Sequence, residues 1–388
     1  LRVEPSRERE AVQRLSRRAD VAFAELDRFL ERQFTPCDTL VSSQWHHAVI
    51  NSFAAWEVSL GRPTVRIAIV DTPFQMDHPD LAAHTEAGWD VTAETGDAVI
   101  ANSAGIDHST IGAGLAAAVI DNQLGVAGAG NCRVLPINLN GTISEMAEAI
   151  RWAAEHGVRV VNISWEGADS PTLNEAGYEL KTRARGLLAM AGVNGSGFLN
   201  YPNHPHIYCI SMTDAADNLR SRYGNHIDFA APGYNIFSTT TNNGYSAGTG
   251  TSYATPLFCG MAAVLMSINP NLGPEEIIGL LQATARDLGP AGWDQFYGWG
   301  RIDFGAAARA AAATLPAITG IHRQDGAMVI STALKAGESC RLLRAGELGA
   351  AHWLPVLNAP RATNGGLLQF FDPQPAAAQG FYRLESVE

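Results

Sequence analysis

The sequence predicts an α/β fold in which helices cover both faces of a mostly parallel β-sheet. Short continuous apolar runs, such as 65–70 and 187–191, are typical of strands that are buried on both faces. Between these runs lie segments of helical length that are amphipathic or wholly apolar. Strands that alternate with helices in this way form a parallel sheet that is covered on both sides.

The remaining elements follow in chain order. Strands are predicted at 134–139 and 158–164, and helices at 144–156, 252–268 and 274–288. Ser144 is expected to cap the first of these helices, and Gly157 is expected to end it. The helix at 252–268 is apolar nearly all round, so we expect it to be buried.

The composition is that of a folded globular protein. Of the 388 residues, 46% are hydrophobic and 17% are charged, which is too apolar for a disordered chain. This length corresponds to about two to three domains. The net charge of -12 argues against a nucleic-acid partner, because such proteins usually present a basic face. No apolar run reaches the ~18 residues of a membrane span.

Three regions of the chain differ in character. Residues 1–34 are rich in arginine and carry apolar residues at helical spacing, which predicts a helical arm. This arm is interpreted as packing on the body, with a pro-segment remnant as the alternative. Residues 35–313 contain the alternating strands and helices. Residues 317–388 have short alternating runs between turn-forming residues, which predicts a small β-rich module.

The cysteines and the first residue limit the class of protein further. Five cysteines without a C-x-x-C pair argue against zinc ribbons and dense disulfide scaffolds. Cys209 and Cys259 are expected to be buried free thiols, although one or two bridges stay open. The chain begins at Leu1 without a signal peptide, which we interpret as a processed or trimmed form.

Three segments each place one reactive side chain at the end of an element. Asp71 directly follows the strand at 65–70, at the strand end where sites assemble in parallel sheets. His108 precedes a run of small residues, and Ser252 opens the buried helix, whose N-terminus favours developing negative charge. Taken singly, each residue also has a structural interpretation, as a helix cap or a satisfied polar group.

Taken together, these side chains supply a nucleophile, a base and an orienting carboxylate. A serine hydroxyl is a weak nucleophile until a histidine takes its proton. The carboxylate fixes the histidine tautomer and stabilises the imidazolium. The chain order Asp, His, Ser is one of three orders known for this geometry.

Further segments stand in a fixed order around the three residues. They are Thr35-Pro-Cys-Asp38, Ser43-Gln-Trp45, Ala55-Trp56, His78-Pro-Asp-Leu81, Gly125-Val-Ala-Gly128, Val161-Asn-Ile-Ser-Trp165, Asn200-Tyr-Pro202, Phe229-Ala-Ala-Pro-Gly233, Gly250-Thr-Ser-Tyr-Ala-Thr-Pro256 and Gly298-Trp-Gly-Arg-Ile302. In this order they resemble the subtilisin-like serine proteases (the subtilase family, peptidase family S8), in particular the thermitase-type branch. The resemblance covers about residues 35–312.

The resemblance implies a fold, an activity and a location. The fold is a three-layer subtilisin-like α/β domain over residues 35–313. The activity is that of a serine endopeptidase that hydrolyses polypeptides through an acyl-enzyme intermediate, with Asp71, His108 and Ser252 as the triad. The location is outside the cytoplasm, as a secreted or periplasmic protein.

Several positions depart from the family pattern. Pro73 and Ser109 stand where glycines are usual, and Tyr253 stands where a methionine usually follows the nucleophile. In the pattern Ala-Gly-Asn-x-Gly, whose asparagine donates to the oxyanion, a gapless alignment puts Val193 at the donor position and Asn194 one residue late. Either the turn is remodelled so that Asn194 donates, or the protein is a catalytically impaired pseudoprotease that binds peptides.

The resemblance also implies a substrate-binding edge at Ser164-Trp165-Glu166-Gly167, which would pair with the substrate backbone as an added strand. Glu166 replaces a glycine at the edge of the primary specificity pocket. Asp169 follows at a spacing similar to that of kexin-like enzymes. Our hypothesis is an acidic pocket that prefers Arg or Lys before the cut bond. The alternative is two solvated loop carboxylates.

A structural calcium site is a further implication of the resemblance. Its ligands would be the side-chain oxygens of Asp38, Asp80 and Asn122 and the backbone carbonyls of Val119, Leu124 and Val126. Calcium takes six to eight oxygen ligands, and this set is of the right kind. The alternative is a metal-free loop that is held together by hydrogen bonds.

A rival motif surrounds Ser246. The segment from Gly244 to Gly248 matches the G-x-S-x-G elbow of α/β-hydrolases. That elbow requires a helix directly after the serine, with an aspartate and then a histidine downstream. Ser246 is followed by Ala-Gly-Thr-Gly-Thr, so an esterase is the less favoured interpretation.

Overall fold

The computed structural model describes residues 12, 14, 17, 18, 21, 34–95, 107–324, 327–334, 340–345, 353–356, 366–373 and 381–386. The chain divides into two compact units, Leu1–Phe34 and Thr35–Glu388. In the first unit Val12 and Arg14 are helical. Most of the predicted arm lies outside the described residues, and the division of the chain into arm, catalytic region and β module stays a prediction.

The helices that the structure describes in the second unit are short or of medium length. They are α1 (Trp45–Val49), α2 (Ser52–Val58), α3 (Asp107–Ala117), α4 (Ile143–Glu155), α5 (Pro171–Ala184), α6 (Thr251–Ile268), α7 (Pro274–Thr284) and α8 (Phe304–Ala313). Single 3-10 turns occur at Val41–Ser43 and Ala82–His84. The helix predicted at 274–288 therefore ends four residues early, at Thr284.

The strands form one large sheet and several small ones. They are β1 (Arg66–Asp71), β2 (Trp89–Asp90), β3 (Arg133–Asn138), β4 (Val160–Ile163), β5 (Leu187–Ala191), β6 (Phe198–Leu199), β7 (Tyr208–Thr213), β8 (Tyr223–Gly224), β9 (Ile227–Pro232), β10 (Ile236–Thr240), β11 (Gly244–Gly248), β12 (Ile318–Gln324), β13 (Ala327–Leu334), β14 (Cys340–Ala345), β15 (Leu354–Pro355), β16 (Gly366–Asp372) and β17 (Phe381–Ser386). The apolar runs of the sequence thus predicted the main strands to within one or two residues.

The large sheet has the order β2-β3-β1-β4-β5-β7-β9, and every described pairing in it is parallel. Strand β1 lies inside the sheet between β3 and β4, with Val70 opposite Ile137 and Ile163. From Ile67 to Val70 each residue is at most 1% exposed. Burial on both faces explains why this strand is a continuous apolar run rather than an alternating one.

The sheet is the middle of three layers. Ala68 and Val70 face one side, where they pack in a buried cluster with Met146 and Ile150 of α4 and with residues of α5. Successive side chains of a strand point to opposite faces, so Ile67 and Ile69 face the other side. Helix α6 lies against β1, β4, β5, β7 and β9. The predicted three-layer α/β fold is confirmed.

Small residues allow helices α3 and α6 to approach closely. A Cβ atom at Gly260 would lie 2.5 Å from the carbonyl oxygen of Ala116, which no larger residue could tolerate. One turn earlier, a Cβ atom at Gly112 would lie 3.5 Å from Cγ of Pro256. The contact therefore requires a glycine at 260, whereas an added Cβ at Gly112 would make an ordinary van der Waals contact.

The start of α4 corrects one prediction. The N-cap is Thr142 and not Ser144, because the Thr142 hydroxyl accepts a hydrogen bond from the Glu145 N–H at 3.2 Å. The Glu145 carboxylate accepts one in return from the Thr142 N–H at 3.0 Å. This capping box satisfies two backbone donors at once, which a serine inside the first turn cannot do.

The C-terminal strands form two antiparallel sheets, with orders β12-β13-β16 and β15-β14-β17. Ile330, Leu342 and Phe370 are fully buried between them. The β-rich character that the sequence predicts for this region is present in its described residues. They contribute nothing to the site described below.

The cysteines and the apolar helix have simple structural explanations. Cys209 and Cys259 are buried free thiols, as the sequence predicts, and burial raises the pKa of both. Contrary to the sequence-based expectation that no apolar run reaches the length of a membrane span, helix α6 has 18 residues and is apolar enough to cross a membrane by length and composition alone. It is 89% buried inside the protein, as expected for a core helix.

Candidate active site

The site is built around Asp71, the last residue of β1. Its side chain is 2% exposed, and a charge at such depth must be paired and hydrogen-bonded. Oδ1 accepts hydrogen bonds from the Thr72 N–H at 2.7 Å and from the Thr72 hydroxyl at 3.2 Å. Oδ2 remains for a partner from another element.

That partner is His108, the second residue of α3. Its Nδ1 lies 2.9 Å from Oδ2 of Asp71. Because a carboxylate only accepts, Nδ1 carries the proton, and Nε2 of the neutral ring is left as an acceptor. Burial lowers the pKa of His108, but the hydrogen bond and the charge of Asp71 together outweigh it, so the pKa lies above its usual value of 6.5.

Two departures from the family pattern contact each other beside this pair. The Ser109 hydroxyl, which is fully buried, donates a hydrogen bond to the carbonyl oxygen of Pro73. The Thr72 hydroxyl lies 3.4 Å from the same Ser109 oxygen. These contacts tie the end of β1 to the start of α3, and they hold Asp71 and His108 side by side.

Ser252 is the second residue of α6, whose N-cap is Gly250. It stands four residues before Pro256, as His108 stands four residues before Gly112. Since Pro256 and Gly112 are in contact, the first turns of the two helices lie at the same level. The ring of Tyr253, the next residue, has its centroid 5.5 Å from that of His108.

The structure thus brings Asp71 and His108 into direct contact, and it brings the ring of Tyr253, the neighbour of Ser252, to 5.5 Å from the imidazole. Among the described residues no hydrogen bond joins Nε2 of His108 to the Ser252 hydroxyl. Catalytic hydrogen bonds are often long before a substrate is bound and tighten in its complex. The side chain of Ser252 is partly exposed, so a substrate has access to it.

The loop after β5 shows which residue faces the start of α6. Oδ1 of Asn194 accepts hydrogen bonds from the Thr251 N–H at 2.9 Å and the Thr251 hydroxyl at 3.3 Å. An N–H must meet an acceptor, so this contact identifies the oxygen of the amide, and Nδ2 has no acceptor among the residues that the structure describes. Val193 instead uses its backbone carbonyl, which accepts from the Arg222 N–H at 2.9 Å.

The predicted substrate-binding edge follows the end of β4. Ser164 is buried; its hydroxyl donates to the Ser252 carbonyl at 2.8 Å and accepts from Asn162 Nδ2 at 3.0 Å. Trp165 is partly buried and packs on the cluster between the sheet and α4. Gly167 has a φ of 133°, which glycine adopts readily. The edge is therefore attached directly to the turn that carries Ser252.

The two acids of the predicted specificity pocket, Glu166 and Asp169, are both exposed. The charges of both acids affect the pKa of the same residue, Tyr201. Burial raises the pKa of Tyr201, the charges of Asp169 and Glu166 raise it further, and the charge of Arg222 lowers it. Two carboxylates and one guanidinium thus share the surroundings of this phenol.

The predicted calcium ligands lie together in one loop region. The Asp38 carboxylate accepts from the N–H groups of Asp121 at 2.8 Å and Asn122 at 3.3 Å. Oδ2 of Asp80 accepts from the Val126 N–H at 2.8 Å. Burial raises the pKa of both carboxyls, and the charge of Asp80 adds to the rise at Asp38. A cation would relieve both effects.

The oxygen donors fit calcium with one exception. Among the described residues no backbone N–H donates to the carbonyl oxygens of Val119, Leu124 or Val126, so all three are free to bind a cation. The side-chain amide of Asn122 turns its nitrogen, and not its oxygen, toward Asp80. Its Nδ2 donates to Oδ1 of Asp80 at 2.8 Å, and its Oδ1 accepts from the Leu124 N–H at 2.8 Å. The prediction for Asn122 as an oxygen ligand does not match this orientation.

The rival serine does not have the geometry of a hydrolase elbow. Ser246 lies in the middle of β11, pairs with Ser238 of β10 and is exposed. No helix begins at the residue that follows it. The G-x-S-x-G match at this position is therefore a coincidence of a hairpin sequence.

The fold has three layers around a parallel sheet. A buried carboxylate lies at a strand end with a histidine bonded to it, and a serine lies at the start of a buried helix. This combination is typical of the class of subtilisin-like serine hydrolases. The comparisons with known proteins agree. The sequence profile of the subtilase family matches residues 62–300. The chain therefore belongs to the subtilase family, which confirms the resemblance found in the sequence.

Individual relatives give the extent of the similarity. The chain is 33% identical to halolysin of Haloferax mediterranei over 301 residues, which is 74% of this chain and 57% of halolysin. It is 36% identical to thermitase of Thermoactinomyces vulgaris over 60% of this chain and 86% of thermitase. Among solved structures, a protease of Pseudoalteromonas arctica superposes with a TM-score of 0.60 at 28% identity, covering 72% of this chain and all of that one.

Some of these relatives are much longer than the matched region. The chain spans 57% of halolysin and 54% of Nep, a halolysin-like extracellular serine protease of Natrialba magadii. The similarity therefore covers the subtilase domain and little more than half the length of these proteins.

Three residues that contact the site were assigned no role in it from the sequence. Thr72 supplies two of the hydrogen bonds on Asp71, Thr251 anchors the amide of Asn194, and the ring of Tyr253 lies beside His108. The sequence could have indicated them by position alone, since each is the direct neighbour of Asp71 or Ser252 in the chain. Their contacts depend on partners that are distant in the chain, except for the two bonds from Thr72 to Asp71.

Proposed function

We propose that the protein is a serine endopeptidase that hydrolyses polypeptides through an acyl-enzyme intermediate. Ser252 is the nucleophile, His108 is the general base and Asp71 orients the imidazole. The observation that carries this proposal is the 2.9 Å hydrogen bond from Nδ1 of His108 to the buried Asp71 carboxylate, beside the helix start that bears Ser252. Membership of the subtilase family supports it.

The geometry suggests a sequence of proton transfers. The Ser252 hydroxyl attacks the peptide carbonyl while Nε2 of His108 takes its proton. The resulting imidazolium is stabilised by Asp71, which itself stays ionised. His108 then gives the proton to the leaving amine, and an acyl group remains on Ser252. A water molecule repeats the attack, and His108 again acts as base and then as acid.

Asn194 is our candidate for the oxyanion donor. Its Oδ1 is held by Thr251, so Nδ2 projects from a fixed position beside the first turn of α6. A backbone N–H group in the first turn of α6 supplies a second donor to the oxyanion, since the first N–H groups of a helix lack intrahelical partners. A one-residue insertion in the loop, rather than loss of the donor, explains the altered sequence.

The proposed function is tested with a fluorophosphonate probe and two serine variants. We expect the probe to label one serine, because only an activated hydroxyl reacts, and mass spectrometry should locate it at Ser252. Ser252→Ala should abolish labelling and peptide hydrolysis, whereas Ser246→Ala should keep both. Folded protein that is not labelled and cuts no peptide would indicate a binding protein without catalysis.

Substitution at the loop after β5 tests the oxyanion donor. Asn194→Ala should lower kcat by roughly 10²–10³ with little change in KM, a magnitude that was measured on a subtilisin and not on this chain. Val193→Ala is the matched control and should keep kcat within about twofold. Steady-state kinetics on one peptide substrate measure both. A large loss with Val193→Ala and none with Asn194→Ala would reverse the assignment.

We also propose that Glu166 and Asp169 favour Arg or Lys before the cut bond. Their joint effect on Tyr201 supports a shared acidic location, although both are exposed and Arg222 opposes them. Peptides that differ only in Arg, Leu or Phe at that position should show the highest kcat/KM with Arg. Glu166→Gln should reduce this advantage, and the exposed Glu148→Gln should not. A preference for Leu or Phe would remove the idea.

We propose that calcium binds in the loop region through Asp38, Asp80 and the free carbonyls of Val119, Leu124 and Val126. The metal would supply positive charge for two buried carboxylates and would take no part in the reaction. Calcium at 100 times its Kd should add about 2.7 kcal/mol of stability, seen as a Tm rise of several degrees. Asp80→Asn should abolish the rise, and the exposed Asp77→Asn should keep it. A Tm that calcium and a chelator leave unchanged contradicts the site.

A location outside the cytoplasm is part of the proposal. The Natrialba magadii relative is an extracellular protease. The substrate would then be extracellular or periplasmic polypeptide.

A further inference from the structure

The aromatic ring next to the nucleophile has a defined position against the proposed base. The ring centroids of Tyr253 and His108 are 5.5 Å apart, and the ring planes meet at 46°. Tyr253 is in the first turn of α6, with its N–H bonded to the carbonyl of Gly250 at 3.0 Å. The ring is partly buried, so neighbouring atoms limit the rotamers that its side chain can adopt.

The hairpin β10–β11 leaves room for this ring through a glycine. A Cβ atom at Gly248 would lie 2.5 Å from Cε2 of Tyr253 and 3.0 Å from its Cδ2. No side chain larger than hydrogen fits there while the ring keeps its place. The ring of Tyr253 therefore has both the hairpin at Gly248 and the imidazole of His108 as close neighbours.

The charges around the ring favour its neutral form. Burial raises the pKa of Tyr253, and the charges of Asp71 and Asp107 raise it further. Among the described residues, the titratable groups placed against His108 are the Asp71 carboxylate from β1 and this phenol from α6, with Asp107 as its neighbour on α3. The imidazole thus has a carboxylate at Nδ1 and an uncharged aromatic ring beside its plane.

Resting on the proposed function, we propose that Tyr253 is a positioning residue that holds the His108 imidazole against Asp71 and stabilises the imidazolium formed when Ser252 reacts. A cation within about 6 Å of an aromatic centroid is attracted to the negative face of the ring. The attraction exists only while His108 is charged, so it acts on the reacting state more than on the resting one. A methionine at this position has no aromatic ring and therefore cannot attract the imidazolium in this way.

The alternative role for Tyr253 is a wall of the pocket for the leaving part of the substrate. The two roles differ in their kinetic effects. A wall changes KM and the preference for the residue after the cut bond. A positioning residue changes kcat and the pH at which His108 loses its proton, because it acts through the imidazole.

The test is the pH dependence of kcat/KM for wild type, Tyr253→Leu and Tyr253→Phe. Tyr253→Leu should lower the apparent pKa of His108 by about 0.5, the size of a cation–π interaction at a partly exposed site. It should also lower kcat about three- to tenfold at constant KM. Tyr253→Phe keeps the ring and should restore the profile.

The matched control is Tyr178→Leu, since Tyr178 also lies beside a histidine, His206, at 5.1 Å and 45°. It is remote from the proposed triad and should leave the profile unchanged. If Tyr253→Leu does not fold, Tyr253→Met replaces it with the same expected shift. A change in KM alone, or an unchanged profile in a variant whose Ser252 still reacts with fluorophosphonate, overturns the inference and leaves the proposed function standing. Wild-type protein without labelling overturns both.

Discussion

The hydrogen bond between Asp71 and His108 is the interaction on which the site depends. A carboxylate that is 2% exposed is costly unless it is paired, and here its partners are Thr72 on one oxygen and His108 on the other. The bond fixes the tautomer of the histidine, so that Nε2 is the nitrogen left as an acceptor. Without it, the serine at that helix start would be an ordinary polar residue in the first turn.

The rest of the fold keeps this bond in place. Strand β1 is inside a parallel sheet, so the position of Asp71 is set by neighbours on both sides. Helices α3 and α6 lie in close contact because Gly260 accommodates the backbone of Ala116. That contact sets the two helix starts level with each other, which brings the histidine and the serine from positions 144 residues apart to the same edge of the sheet.

Much of the fold was predictable from the sequence, because burial on both faces leaves a clear apolar pattern. The run at 187–191 matches β5 residue for residue. The cap of α4 was predicted at Ser144, although Thr142 with Glu145 three residues later carries the stronger signal. Helix ends depend on such local side-chain bonds, which periodicity alone does not reveal.

The candidate site was predictable in its residue types but not in its contacts. The orientation of Asn194 depends on Thr251, which is 57 residues away, so a gapless alignment cannot show which residue of the loop faces the start of α6. Pro73 and Ser109 looked like independent departures, yet they bond to each other across 36 residues. The direction of the Asn122 amide depends on Asp80 and Leu124 and is equally invisible in the sequence.

The most direct measurement of the central claim is the pH dependence of kcat/KM for wild type and Asp71→Asn. His108 must be neutral to accept a proton, and its pKa is raised. Wild-type activity should therefore be present at high pH and be lost as the pH falls through an apparent pKa above 6.5. Removing the carboxylate charge should lower that pKa and reduce kcat by roughly 10⁴, as expected when the wrong tautomer is favoured. A variant with the wild-type rate and the wild-type profile would contradict the account.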